Sequence, residues 1–143
     1  MSVSQKLNKI IWRGGISLLF VCLLVIPAGC QEVVRGGGAL ETQEFDFRDF
    51  EVIRADGIFD LEISQQPVYS LSITLSRELQ EYLEVTLEGN VLQLRLRPDV
   101  NYVNTIQRAV ISLPRLSGIN LDGATSAEID SFVCDDMLTV DMD

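Results

Sequence analysis

The chain has 143 residues, with 11 Lys or Arg, 21 Asp or Glu and no His, giving a formal net charge of −10. That length allows one domain. The missing histidine excludes Ser-His-Asp and Cys-His triads, histidine general bases and histidine-containing zinc sites, and the acidity argues against nucleic acid as a partner.

Charge divides the chain. Lys6, Lys9 and Arg13 are the only basic residues before position 30, and no acid occurs there. Beyond it, 8 Arg and no Lys face all 21 acids. Ile16–Ile26 is a run of 11 residues, apolar but for Ser17, too short for a membrane span of about 20. Pro27, Ala28 and Gly29 follow, then Cys30. A basic start, an apolar run and small residues make a secretory signal over 1–29. Small residues directly before a cysteine resemble a bacterial lipobox. The resemblance implies cleavage between Gly29 and Cys30, acylation of Cys30, and a membrane-held protein; Pro27 departs from the usual leucine. Gln31 follows Cys30, and by resemblance to sorting in diderm bacteria the destination is the outer membrane or cell surface. Cys22 then leaves with the signal and Cys30 carries lipid. Cys134 is left without an intrachain partner.

Residues 30–44 contain Gly36-Gly37-Gly38 and few large apolar side chains, so they read as a lipidated cysteine and flexible tether. No Gly-Lys-Ser/Thr follows the glycines, which excludes a phosphate loop. From Phe45 to Asp143 the pattern is that of a β-rich head. Phe50–Arg54 is a short strand and Asp56-Gly57 a turn. Ile58–Ser64 alternates, with Phe59, Leu61 and Ile63 inward. Tyr69, Leu71, Ile73 and Leu75 share the next inward face. Leu79, Tyr82 and Leu83 recur at helical spacing behind Ser76, an expected N-cap, and predict one short helix. Glu84–Glu88 and Val91–Arg97 flank Gly89-Asn90, a two-residue hairpin turn. Pairing Glu88 with Val91 puts Leu87 against Leu92, Val85 against Leu94, and Glu84 against Arg95. Pro98–Thr105 reads as a polar loop. Ala109, Ile111 and Leu113 form a strand that Pro114 ends.

Leu116–Asp130 carries the strongest repeat signal. Its Leu121–Asp130 (LDGATSAEID) matches Ala55–Ser64 (ADGIFDLEIS) at Asp, Gly, Glu and Ile. Gly118–Asp122 (GINLD) is echoed by Thr139–Asp143 (TVDMD). Short strands repeated around Asp-Gly turns predict stacked β-coils. The last copy stops at Asp143, where the first continues into Gly123. A head incomplete at its C-terminus is therefore expected.

Taken together, the lipobox, A-D-G-I-F-D-L-E-I, R-E-L-Q-E-Y-L, G-N-V-L-Q-L-R-L and I-S-L-P-R-L-S-G-I-N-L-D-G-A resemble the family described as "putative auto-transporter adhesin, head GIN domain". Gly118, Ile119 and Asn120 correspond to its motif, with Asp122 and Gly123 behind them. The resemblance implies an exported, mostly β protein similar to a right-handed parallel β-helix, here with one short helix and one hairpin. It also implies an adhesin role toward extracellular protein or polysaccharide.

The carboxylates are the remaining chemistry. Asp60 and Glu62, and Glu128 and Asp130, lie two apart on strand faces, a spacing open to glycosidase use but more simply the solvated side of a sheet. Asp122, Glu128, Asp130 and Asp141 are candidate oxygen ligands for calcium, although their spacing fits neither an EF-hand nor a glycine-rich nonapeptide repeat. No cofactor is expected. The expectation is a noncatalytic, membrane-anchored binding head. A carboxylate-dependent enzyme on envelope polysaccharide, or a purely structural envelope component, are its alternatives.

Overall fold

The computed structural model describes residues 32–130 and 138–142. Their elements are β1 (Glu32–Arg35), β2 (Leu40–Phe45), β3 (Val52–Gly57), β4 (Asp60–Gln65), β5 (Ser70–Ser76), a 3-10 helix (Arg77–Tyr82), β6 (Leu83–Glu88), β7 (Val91–Leu96), β8 (Val100–Val103), β9 (Gln107–Leu113), β10 (Gly118–Gly123), β11 (Ser126–Asp130) and β12 (Thr139–Met142). No helix among the described residues is long and apolar enough to cross a membrane. The signal, Cys30 and Cys134 lie outside the described residues.

Alternation of apolar and polar residues gives each strand one face for a core and one for water. Two five-stranded sheets result, ordered β12-β10-β3-β7-β6 and β11-β4-β9-β5-β2, with β1 and β8 as a separate pair. Ile53, Ala55, Leu92, Leu94 and Ile119 from the first sheet meet Leu61, Ile63, Leu71, Ile73, Leu75, Ala109, Ile111 and Leu113 from the second in one core. The inward residues expected of β4, β5 and β9 are buried, except Tyr69, which precedes β5 and is half-buried against the core. Phe50 and Phe59 are buried with them, and Phe50 packs on Tyr69 at 5.0 Å between ring centroids.

The repeats are neighbours in space. Leu121, Asp122 and Gly123 sit beside Ala55, Asp56 and Gly57 in parallel. Ser126 through Asp130 sit beside Asp60 through Ser64. Gly118 through Leu121 sit beside Thr139 through Met142. The two Asp-Gly repeats each begin in the first sheet, turn at Asp-Gly and continue in the second. The hairpin is also as expected: Glu88 opposes Val91, Leu87 opposes Leu92, Val85 opposes Leu94 and Glu84 opposes Arg95. Gly89 leads its turn at φ +62°, the backbone a type II′ turn requires at that position.

The sheets are mixed rather than uniformly parallel. β12, β10, β3 and β7 run parallel, as do β11, β4 and β9. β6 then pairs antiparallel with β7, β5 with β9, and β2 with β5. The head is mostly β, without being one continuous parallel helix.

Three local expectations are corrected. The short helix is 3-10, and Ser76 makes no side-chain capping bond because it is buried in β5. Leu79 and Tyr82 both reach the core from that turn, since residues three apart eclipse in a 3-10 helix. The expected tether contains β1 and β2, both paired. β2 is further held by hydrogen bonds from the Gln80 side chain to Glu41 (2.9 Å) and from Gln43 to Gln80 (2.7 Å), and by an Arg77–Glu41 ion pair. The expected polar loop contains β8, parallel to β1.

Candidate functional site

The outer faces of the two sheets carry the polar residues. Register sets what stands beside what, because adjacent strands lie about 4.8 Å apart. On the first sheet Gln93 of β7, Arg54 of β3, Asn120 of β10 and Asp141 of β12 form one row. Arg95, Asp56 and Asp122 form the next. A shallow depression of about 420 Å³ lies over them, lined by Arg54, Asp56, Gln93, Asn120, Leu121, Asp122 and Asp141.

These side chains differ in how they are satisfied. Arg95 is tied to Glu84 at 2.6 Å across the hairpin. Among the described residues Arg54 has no ion pair, and the Gln93 and Asn120 amides have no side-chain hydrogen bond. Among the described residues the Asn120 side chain therefore makes no hydrogen bond along the stack of coils. Of the other motif residues, Ile119 is buried. Gly118 is not required by space: a Cβ there would meet Val52 and the Thr139 carbonyl at an ordinary 3.7 Å. Gly123 is required. Its φ is +80°, and a Cβ would fall 2.6 Å from the Gly57 carbonyl oxygen. That carbonyl accepts from the Ala124 amide at 2.9 Å and from the Thr125 hydroxyl at 3.3 Å, locking one Asp-Gly turn onto the other.

On the second sheet Glu128 stands beside Glu62, and Asp130 beside Ser64. They border a depression of about 350 Å³ with Val110. Glu62 faces Arg108 at 3.6 Å, and Asp60 accepts from the Ser126 hydroxyl at 2.6 Å. Asp60, Glu62, Glu128 and Asp130 are all exposed, so no burial distinguishes an acid from a base among them. Ser70 and Ser112 bond each other at 2.6 Å, as do Thr42 and Thr74 at 2.8 Å.

The four calcium candidates are not brought together. Asp122 and Asp141 lie on the outer face of the first sheet, Glu128 and Asp130 on that of the second. The turn at Gly123 carries the chain from one sheet to the other. Among the described residues no three Asp, Glu, Cys or His side chains converge to hold a metal ion.

Arg54 and Gln93 were not singled out by sequence. The repeat contains the signal for Arg54: carried one residue back from Ala55 and Leu121, the same offset sets Arg54 beside Asn120. Gln93 comes from the hairpin, which that repeat does not reach.

The family model described as "putative auto-transporter adhesin, head GIN domain" matches residues 49–143. No curated protein matches. Among solved structures, a "putative lipid binding protein" from Parabacteroides distasonis ATCC 8503 superposes with a TM-score of 0.63 at 24% identity, covering 68% of this chain and 44% of that one. A "putative adhesin" from Bacteroides fragilis NCTC 9343 gives 0.60 at 18% identity, covering 68% and 46%. A "putative adhesin" from Parabacteroides merdae ATCC 43184 gives 0.59 at 20% identity, covering 68% and 42%. The likeness is one of fold, and the chain spans less than half the length of these structures.

Proposed function

This chain belongs to the head GIN domain family, and on that premise we propose that it is a noncatalytic binding module of the cell envelope, anchored by acyl chains on Cys30 at the outer membrane or cell surface. Its ligand is extracellular protein or polysaccharide, as expected of an adhesin. The anchor reading is supported by the basic start, the short apolar run and the small residues before Cys30. The parallel strands β7, β3, β10 and β12 support a solenoid-like build, in which each Asp-Gly turn starts a coil. The noncatalytic reading draws on the lack of histidine and on carboxylates standing in solvent on the sheet faces.

One observation carries the proposal. A mostly apolar core displays two outer sheet faces whose polar side chains are held in register. Such a face binds by many small contacts and brings no reacting groups together.

The test exposes the full-length chain, in detergent micelles, to a panel of envelope and host polysaccharides and proteins, with and without calcium. Retention and new reducing ends are scored together. Retention without cleavage is the expected result. New ends that disappear in Asp60→Asn or Glu128→Gln would establish an enzyme and overturn the reading.

A further inference from the structure

We propose that the row Gln93–Arg54–Asn120–Asp141 on the outer face of the first sheet is a binding site for an uncharged glycan chain lying across the strands. The inference rests on the binding-module reading and names its site and ligand class.

The first ground is placement. Four neighbouring strands each contribute one side chain in register, so the row spans about 14 Å at the usual strand spacing. Asp56 and Asp122 run alongside. All of them line the same shallow depression of about 420 Å³.

The second ground is that the central groups are unspent. Several other polar pairs on the outer faces satisfy one another: Ser70 with Ser112, Thr42 with Thr74, Arg95 with Glu84, Arg108 with Glu62. Arg54 and its flanking amides have no such partner among the described residues. A guanidinium offers five donors in a fixed fork, each amide offers two donors and an acceptor, and the carboxylates only accept. Donors and acceptors alternate over the face.

A ligand that uses both must itself carry donors and acceptors at short intervals. The vicinal hydroxyls of a sugar do so. An anionic chain meets three carboxylates against one guanidinium, on a chain of net charge −10. A basic peptide would place its cations on Arg54 in the middle of the row. A protein partner of any charge would want a pocket for an apolar anchor, and among the described residues the one apolar lining residue, Leu121, is already buried in the core. Among the described residues no aromatic ring lines the face, so each sugar is held there by hydrogen bonds. Affinity then grows with the number of sugars along the row and with the number of heads displayed on one surface.

The experiment presents the full-length chain in detergent micelles to an immobilised neutral β-glucan, mannan and galactan, with heparin and a basic protein as the charged arms. Wild-type protein is retained on a neutral glycan. Arg54→Ala and Asn120→Ala each weaken retention about tenfold, the loss of one charged or two neutral hydrogen bonds. Arg108→Ala, on the other sheet, leaves it unchanged, and melting temperatures show all three folded. Gln93→Glu, which adds a charge without removing bulk, weakens retention in the same way. Neutral-glycan retention that survives all the first-sheet variants places the site elsewhere; it sinks this proposal while the binding module stands. Retention by heparin alone, or by the basic protein alone, overturns the ligand class. A folded protein retained by nothing overturns both the site and the reading beneath it.

Discussion

Tyr82 ties three elements with one side chain. It ends the 3-10 helix, donates its hydroxyl to Glu32 Oε1 of β1 at 2.6 Å, and meets the Tyr102 ring of β8 edge-on at 6.0 Å, with the Arg97 guanidinium 5.1 Å from its own ring. The hydrogen bond to the Glu32 carboxylate comes first, and burial second, in holding the proton on; together they push Tyr82 from 10.0 up to about 12. Burial also raises Tyr102. A pKa raised on folding gives stability that is whole below the unfolded value and lost as pH rises through the folded one. The attachment of β1 therefore weakens between about pH 10 and pH 12. Ultraviolet titration of tyrosinate should show one group ionising near 12, and Glu32→Gln should bring it down. A titration curve unmoved by Glu32→Gln would show that the bond to Glu32 does not govern Tyr82.

Among elements, the turn at Gly123 matters most, because it lays one coil on the next. Gly123→Ala forces a methyl group to within 2.6 Å of the Gly57 oxygen at φ +80°, so β10, β11 or the partner turn must shift. The expected cost is about 2–3 kcal/mol of unfolding free energy. Gly89→Ala, at φ +62° with nothing within 4 Å, should cost only about 1 kcal/mol. Denaturant titration of the two variants checks the pair, and equal losses would show that the close approach of the turns is not what requires a glycine. Legibility follows the same lines. A two-residue turn fixes its own register, so the hairpin could be read residue by residue from Glu84 to Arg95. The repeat made β10 and β12, and the two Asp-Gly coils, legible as neighbours. The missed strands lacked any local partner. β1 pairs with β8, 68 residues on, and Gly36–Gly38 beside it carries the composition of a linker. Likewise Leu79 and Tyr82 fit an α-helical stripe and a 3-10 turn equally well. In the site, Asn120 was visible as part of a motif. Arg54 became a neighbour only through the offset, and Gln93 only through the assembled sheet.

For the molecule as a whole, the two ends of the sandwich are unlike. At the end with β2, the 3-10 helix lays Gln80 and Arg77 over the inner face of that strand through Glu41 and Gln43. At the end with β11 and β12, side chains that share the inner parity of Ile119 and Leu121 stand in solvent: Val140 is 47% exposed and Met142 74%, with Ile129 at 37%. Among the described strands β12 pairs with β10 alone, so among the described residues its other edge presents backbone donors and acceptors with no strand partner, beside those apolar groups. That combination is the usual route to edge-to-edge association, and natural edges blunt it with an inward-pointing charge, Lys above all. Met142→Lys places such a charge where the side chain is already solvated, so little burial is lost. The melting temperature should stay within a degree or two of the parent, while the concentration at which light scattering rises should increase several-fold. Scattering that begins at the same concentration in both proteins would mean that β12 is not the associating edge, and that the high negative charge of the head already keeps copies apart.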